Sequence, residues 1–469
     1  MRGVIRIALV MTVVFCALGM LAQETELTRP QVSPDEMATP VPAVQTSQPA
    51  IFKPQGTVIT QASSVMRPED AGIRAHTNYL IFVPAGQPMS SPVPNNTFAE
   101  TPASMGCVYK VGPIYAGCNP SNGGSNHPTG GWGAIAIVDA FDNPHAASDL
   151  AYFSSYWGLP AASFRKIYAN TAYGTLNGMT ASCSGTPPGD TDWGVEIDLD
   201  IEWAHVMAPS AKILLIEACS NYDSDLFFAE QVAGIEVATR GGGDITNSWG
   251  GGEWSAEVGD ADKCFYYWHW QKISYFASAG DSGWGAQYPS SSPWVVSAGG
   301  TTVNRDASGN FVNESCWAGS GGGVSQYEKW QDPPSFGNGM GPWANFQYPQ
   351  FGKNPRQTPD ISFNADPASG VWVYDTYLSS PGWLTVGGTS VSSPALAGIV
   401  NASKNLLGQG VVNGYYTTQE NNLLYDQLYG HLAYPYNFYD VTTGSNGHSA
   451  GVGYDQCTGI GSPRGHLGK

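Results

Sequence analysis

The sequence predicts an α/β fold in which a parallel sheet is covered by helices on both faces. Two observations predict it. From about residue 130 the chain carries short segments that read as strands: the apolar run GAIAIVDA (133–140) and the buried strand AKILLIEA (211–218), then DITNSWG (244–250) and ISYFASA (273–279), with WVVSAGG (294–300) and GVWVYDT (370–376) extending the set. Between them lie segments that read as helices: Ala146 to Trp157, a stretch capped by Ser224 and ended near Arg240 by Gly241–Gly243, and Ala261 to Lys272. Alternation of the two implies parallel strands joined by crossover helices. Such sheets gather functional groups on the loops beyond the carboxyl ends of their strands.

The bulk numbers fit one large domain with an extension. The chain has 469 residues and is 42% apolar, enough for a substantial core. Charged residues are 12% of the chain, about half the usual share. Acids outnumber bases 38 to 20, a formal charge of −18, which excludes a nucleic-acid-binding face. Low charge density suits a protein exposed to acid, because each natively paired carboxylate must be protonated as pH falls.

Residues 1–22 read as an export signal, with Arg2 and Arg6 before an uncharged run from Ile7 to Ala22, and cleavage after Gly19 or Ala22. That run is shorter than the ~20 residues a spanning helix needs, so no membrane association is expected once it is removed. Residues 23–105 are rich in Pro, Ser and Thr and are expected to be a loosely structured extension, a short propeptide or a flexible linker. Residues 106–469 form the expected main domain. Seven cysteines follow the signal, none in a zinc pattern. The expected disulfides are Cys107–Cys118, Cys183–Cys219 and Cys264–Cys316, with Cys457 unpaired.

Four stretches carry candidate chemistry. VGGTSVSSPALAGIV (386–400) places Ser390 at the entry to a helix, where backbone N–H groups and the positive dipole end can hold a developing oxyanion; a serine there also serves as a simple N-cap. GVEIDLDIEWAHVMAPSAKI (194–213) alternates Glu196, Asp198, Asp200 and Glu202 with apolar residues, a period that by itself reads as a strand with one acidic face. FASAGDSGWG (276–285) sets Asp281 in a glycine-flanked turn, and IAIVDAFDNP ends a strand at Asp139.

Together these stretches resemble the sedolisins, serine-carboxyl peptidases with a subtilisin-like fold. Gly-Thr-Ser with Pro four residues later is similar to the nucleophile turn of both subtilisins and sedolisins. No His-Gly-Thr, the base-bearing stretch of subtilisins, occurs in the chain, whereas Glu196 and Asp200 match the sedolisin Glu-x-x-x-Asp motif. The resemblance makes 194–203 a helix. It implies Ser390 as nucleophile, Glu196 as general base, Asp200 as its partner and a protonated Asp281 as oxyanion donor. Asp139, where sedolisins often carry glutamate, and Trp249 are implied as supporting residues.

The C-terminal stretch FYDVTTGSNGHSAGVGYDQCTGIGSP (438–463) resembles the family's calcium loop. It implies one Ca2+ held by Asp440 and Asp455 carboxylates and the carbonyls of Val441, Gly451 and Gly453, the hard oxygen donors calcium takes. RQTPDISFNADPASG (356–370) also resembles a family signature. The implied activity is acid-dependent peptide-bond hydrolysis by a secreted monomer, as endopeptidase or tripeptidyl-peptidase. Peptides or unfolded proteins are the implied substrates.

Overall fold

The computed structural model describes residues 49–266, 272–329, 355–406, 424 and 433–469. The expected export signal, the first part of the extension and the end of the Ala261–Lys272 helix lie outside the described residues. The principal elements are β1 (Ile51–Phe52), β2 (Gly56–Thr60), β3 (His76–Thr77), β4 (Leu80–Pro84), α1 (Pro102–Val108), β5 (Ala134–Ala140), α2 (Ala146–Trp157), β6 (Ser163–Ala169), α3 (Thr191–Met207), β7 (Lys212–Ala218), α4 (Asp223–Ala238), β8 (Gly243–Asn247), β9 (Trp249–Gly250), α5 (Lys263–Tyr266), β10 (Ile273–Ser278), β11 (Val296–Asp306), β12 (Phe311–Cys316), β13 (Ile361–Asn364), β14 (Val371–Asp375), β15 (Gly382–Gly387) and α6 (Thr389–Leu406).

The central sheet runs β1-β11-β10-β8-β5-β7-β6, with β12 and β13 also paired to β11. Its interior pairs are parallel, and β1 and β12 are antiparallel additions at β11. Strand alternation divides the core. Ile135 and Ile137 of β5 point toward α3 and α6, with Ile213 and Leu215 of β7 beside them. Ala134, Ala136 and Val138 point the other way, toward Leu226, Phe228 and Val232 of α4. Helices therefore cover both faces, as the buried apolar runs demand, and the fold is subtilisin-like α/β.

Three expectations about the course of the backbone need correction. Residues 370–376 form β14, but not in the central sheet: they belong to a separate antiparallel sheet, β14-β15-β4-β2. Only a short turn joins β14 to β15, and a short connection makes a hairpin, whereas a parallel neighbour needs a long crossover. Ser224 does not cap α4; the chain enters the helix at Tyr222, which makes no side-chain cap. From residue 49 onward the stretch read as a loose extension is built into the fold, since β1 pairs with β11, β3 with β9, and β2 and β4 with each other.

Cys107–Cys118 and Cys183–Cys219 pair as expected, but the third disulfide is Cys316–Cys457. Cys264 is a buried free thiol on α5, packed with Phe265 and Tyr275 on the α4 side of the sheet. Cys316 ends β12, where its N–H donates to Thr443 O at 2.8 Å, so the C-terminal loop carrying Cys457 docks beside it. Among the described residues, no helix is long and apolar enough to cross a membrane.

Candidate active site

The helix α3 settles the two-way pattern at 194–203. Asp190 caps it, accepting the N–H groups of Asp192 and Trp193, both at 3.0 Å. A segment apolar between its acids buries every side when helical, and α3 is buried from Trp193 to Met207. Residues four apart then share a face. Glu196 and Asp200 look toward α6, while Asp198 and Glu202 look toward α2 and β14; all four are fully buried.

Helix α6 presents Ser390 in its first turn. Gly388, at φ +106°, allows the sharp entry, and a Cβ there would lie 2.2 Å from Asn78 O and 2.4 Å from Asp281 Oδ2. Pro394 lacks the N–H that would bond the carbonyl of Ser390 four residues earlier. That carbonyl instead accepts from Ser248 Oγ at 3.3 Å.

Ser390 Oγ donates to Glu196 Oε2 at 2.8 Å. Ser248 Oγ donates to Asp200 Oδ1 at 2.7 Å, so Ser248 ties the second acid to the serine turn. Asp281 Oδ1 accepts from the N–H of Thr389 at 2.7 Å and from its hydroxyl at 2.9 Å, leaving Oδ2 without a donor. Asp139 is fully buried and neither of its oxygens has a donor. Trp249 does not reach it; its Nε1–H donates to Val138 O at 2.9 Å and fixes the backbone next to Asp139. The structure thus brings Ser390, Glu196, Asp200, Asp281 and Asp139 into one cluster, with Trp249 at its wall.

Electrostatics favour neutral acids here. Burial, then Asp200 and Asp139, hold the Glu196 carboxyl well above its ordinary range. Burial raises Asp200 against the pull of Ser248, and burial with Asp200 and Glu217 raises Asp139. Such a cluster deprotonates stepwise. Its first charge is best placed on Glu196, whose Oε2 also accepts the Asn78 N–H at 3.3 Å. Asp281 is pushed up to about 7 by burial, which its two bonds from Thr389 only partly offset.

Sequence reasoning missed three participants. Ser248 and Thr389 adjoin Trp249 and Ser390 and could have been found by that adjacency. Asn78 carried no signal: it lies in the Pro-rich stretch, yet its carbonyl accepts the Ser390 N–H at 2.9 Å. It also missed a second acid cluster, where Asp198, Asp149 and Asp375 bring oxygens within 4.8 Å of one another. Asn143 Nδ2 donates to Asp198 there at 2.9 Å, and Thr376 N–H donates to Asp149 at 2.9 Å.

In the C-terminal loop, Asp440 and Asp455 lie at the two ends of the 451–453 turn. Asp440 accepts the Gly453 N–H at 3.1 Å and Asp455 that of Gly451 at 3.0 Å. Among the described residues neither acid has a basic side chain in salt-bridge range, and burial raises both. A half-buried and a buried carboxylate without a counter-charge, on a turn rich in carbonyls, are a donor set that fits a hard cation.

The Subtilase family model matches residues 166–421. Kumamolisin of Bacillus sp. (strain MN-32) is 31% identical over 363 residues, covering 71% of this chain and 58% of that protein. Sedolisin of Pseudomonas sp. (strain 101) is 30% identical over 199 residues, 39% of this chain and 29% of its own length. The chain thus spans less than two thirds of either relative. A solved structure of Pseudomonas sedolisin, a serine-carboxyl proteinase complexed with two molecules of pseudo-iodotyrostatin, aligns with a TM-score of 0.58 at 24% identity, covering 79% of this chain and 96% of that one. That likeness is one of fold.

Proposed function

Because this chain belongs to the sedolisin family, within the subtilases, we propose that it is a serine-type peptidase hydrolysing peptide or unfolded-protein substrates in acid. The observation that carries the proposal is the 2.8 Å hydrogen bond from Ser390 Oγ to Glu196 Oε2, a hydroxyl at a helix N-terminus whose proton acceptor is a carboxyl group. Ser390 Oγ attacks the scissile carbonyl carbon and its proton passes to Glu196. The Ser390 N–H and a protonated Asp281 Oδ2 hold the oxyanion. Collapse breaks the C–N bond, and Glu196 returns the proton to the leaving amine. Water, deprotonated by Glu196, then releases the acid product from the acyl-enzyme. Asp200, held by Ser248, and Asp139 keep protons nearby and orient the base.

One Ca2+ is proposed at Asp440 and Asp455 with the carbonyls of Val441, Gly451 and Gly453; when bound it would supply a structural cross-link. Secretion is supported by the N-terminal signal pattern and by three disulfides, which persist in oxidising compartments. The test is digestion of a denatured protein across pH by the wild type, Ser390→Ala and Glu196→Gln. Acid-dependent cleavage that both substitutions abolish is expected. Cleavage retained by Ser390→Ala, or near-full wild-type activity at about pH 8, overturns the mechanism.

A further inference from the structure

We propose that Trp284 is a positioning residue for the oxyanion acid, the tie by which the C-terminal loop holds the turn carrying Asp281; the proposal rests on the peptidase reading above. That turn, residues 280–285, does not hold itself. Gly280 and Gly283 flank Asp281 at φ +112° and +77°. Such glycines have many backbone alternatives to the one shape observed. A hydrogen-bond donor to an oxyanion has to stay within ~0.5 Å of its working place. The shape of the turn therefore has to come from its neighbours.

Two neighbours hold it, and they differ in kind. The loop after β12 pairs with the turn through glycines alone. The Gly321 N–H donates to Gly280 O at 2.6 Å, the Gly283 N–H donates to Gly319 O at 2.9 Å, and Gly285 and Gly322 exchange N–H···O bonds at 2.7 and 2.9 Å. The C-terminal loop grips through Trp284. Its backbone N–H donates to Asn446 O at 2.7 Å, and its indole Nε1–H donates to Gln456 Oε1 at 2.9 Å. Gly447 is pressed against it, since a Cβ there would lie 3.0 Å from the Trp284 Cβ. Both acceptor residues are buried and fixed in turn. Asn446 Nδ2 donates to Ser320 O at 2.9 Å and to Gln456 O at 3.1 Å, and Gln456 Nε2 donates to Gln357 Oε1 at 2.7 Å. The next residue, Cys457, is in the disulfide to Cys316.

Trp284 is itself 55% exposed. With half its surface in water it adds little to any core. What it supplies is a stiff bridge with two donors on one residue. On the opposite side the turn is held by α6, where the Thr389 hydroxyl accepts the Gly280 N–H at 3.0 Å and donates to Asp281 Oδ1 at 2.9 Å. Thr389 thus sets the Asp281 side chain and Trp284 sets the backbone beneath it. Loosening the Trp284 tie moves Asp281 Oδ2 relative to the Ser390 N–H, its partner donor, and leaves the bond between Ser390 and Glu196 untouched.

The test compares two substitutions in the full chain. Trp284→Phe keeps a ring and the backbone N–H but loses the indole donor, and Gln456→Leu loses its acceptor. Hydrolysis of a fluorogenic peptide in mild acid is measured beside inhibition by the matching peptide aldehyde, whose adduct with Ser390 puts its oxygen in the oxyanion position. Each single variant should lower kcat about tenfold, less than the ~10²–10³ of losing the donor outright, with KM within about twofold. Aldehyde binding should weaken by the factor that kcat/KM falls. The double variant should be no slower than either single one, and Trp284→Phe should change nothing when Asp281 is already alanine. Wild-type kcat in Trp284→Phe, a raised KM at unchanged kcat, or a further tenfold loss on top of Asp281→Ala overturns the proposal and leaves the peptidase reading standing. If Gln456→Leu does not fold, Trp284→Phe alone decides. No hydrolysis by the wild type removes the peptidase reading, and the proposal with it.

Discussion

Replacing Asp281 separates its charge from its hydrogen bond. In Asp281→Asn the carbonyl oxygen can still accept both bonds from Thr389, and an amide nitrogen takes the place of Oδ2 beside the oxyanion position. The donor then no longer titrates. The wild-type carboxyl is pushed up to about 7, so at pH 8 about a tenth of it remains protonated. Loss of this one proton therefore lowers kcat/KM about tenfold between its acid plateau and pH 8. Asp281→Asn should lose that part of the alkaline limb, and Asp281→Ala, with no donor at any pH, should run ~10²–10³ slower in acid, about 2.7–4 kcal/mol of transition-state stabilisation. The assay is kcat/KM for a fluorogenic peptide against pH. An unchanged alkaline limb in Asp281→Asn, or full acid activity in Asp281→Ala, refutes the oxyanion role.

Ser390→Ala should lose about 10⁴–10⁶ in kcat while its melting temperature in acid stays close to the wild type; residual turnover near wild type contradicts the nucleophile. Chelation of calcium should lower the melting temperature, and Asp440→Ala should abolish that response, because an ion binding only the folded state at a hundred times its Kd adds about 2.7 kcal/mol. A melting temperature indifferent to chelator counts against the loop. Asp198 is held well above its ordinary range by burial, then Asp375 and Asp149, so its stabilising contribution is present in acid and lost as pH rises through the raised value. Asp198→Asn should melt higher than wild type toward neutral pH but not in acid, by up to about 1.4 kcal/mol per pH unit; a pH-independent difference contradicts this. Cys316→Ser should cost about 2–5 kcal/mol, since its disulfide closes a loop of 141 residues, and Cys264→Ser should leave all three disulfides in place by peptide mapping.

Much of the central sheet was legible because burial on both faces leaves largely apolar runs at β5, β7 and β10. α3 was legible only through a family resemblance. Its acids recur every second residue, and that period says strand; what overrides it is the packing of a helix buried on all sides, which places two acid pairs on two faces. Ser390 and Asp281 stand in glycine-bounded turns whose local chemistry is visible. Asn78 was invisible because its contacts to Glu196 and Ser390 are made by its backbone atoms, 118 positions from Glu196 in sequence. β14 was misplaced because composition reports burial and not which sheet supplies it. The third disulfide was misassigned because partner choice depends on where the C-terminal loop docks, a contact between residues 141 positions apart.

The most direct test of the central claim is acyl trapping. The enzyme is mixed in mild acid with an activated ester of a short acyl-peptide, quenched rapidly in strong acid and mapped by tandem mass spectrometry. An acyl group on the Ser390 hydroxyl, present in Glu196→Gln only at strongly reduced occupancy and absent in Ser390→Ala, is the predicted result. Continued hydrolysis by Ser390→Ala, or an acyl group on another side chain, contradicts a serine activated by Glu196.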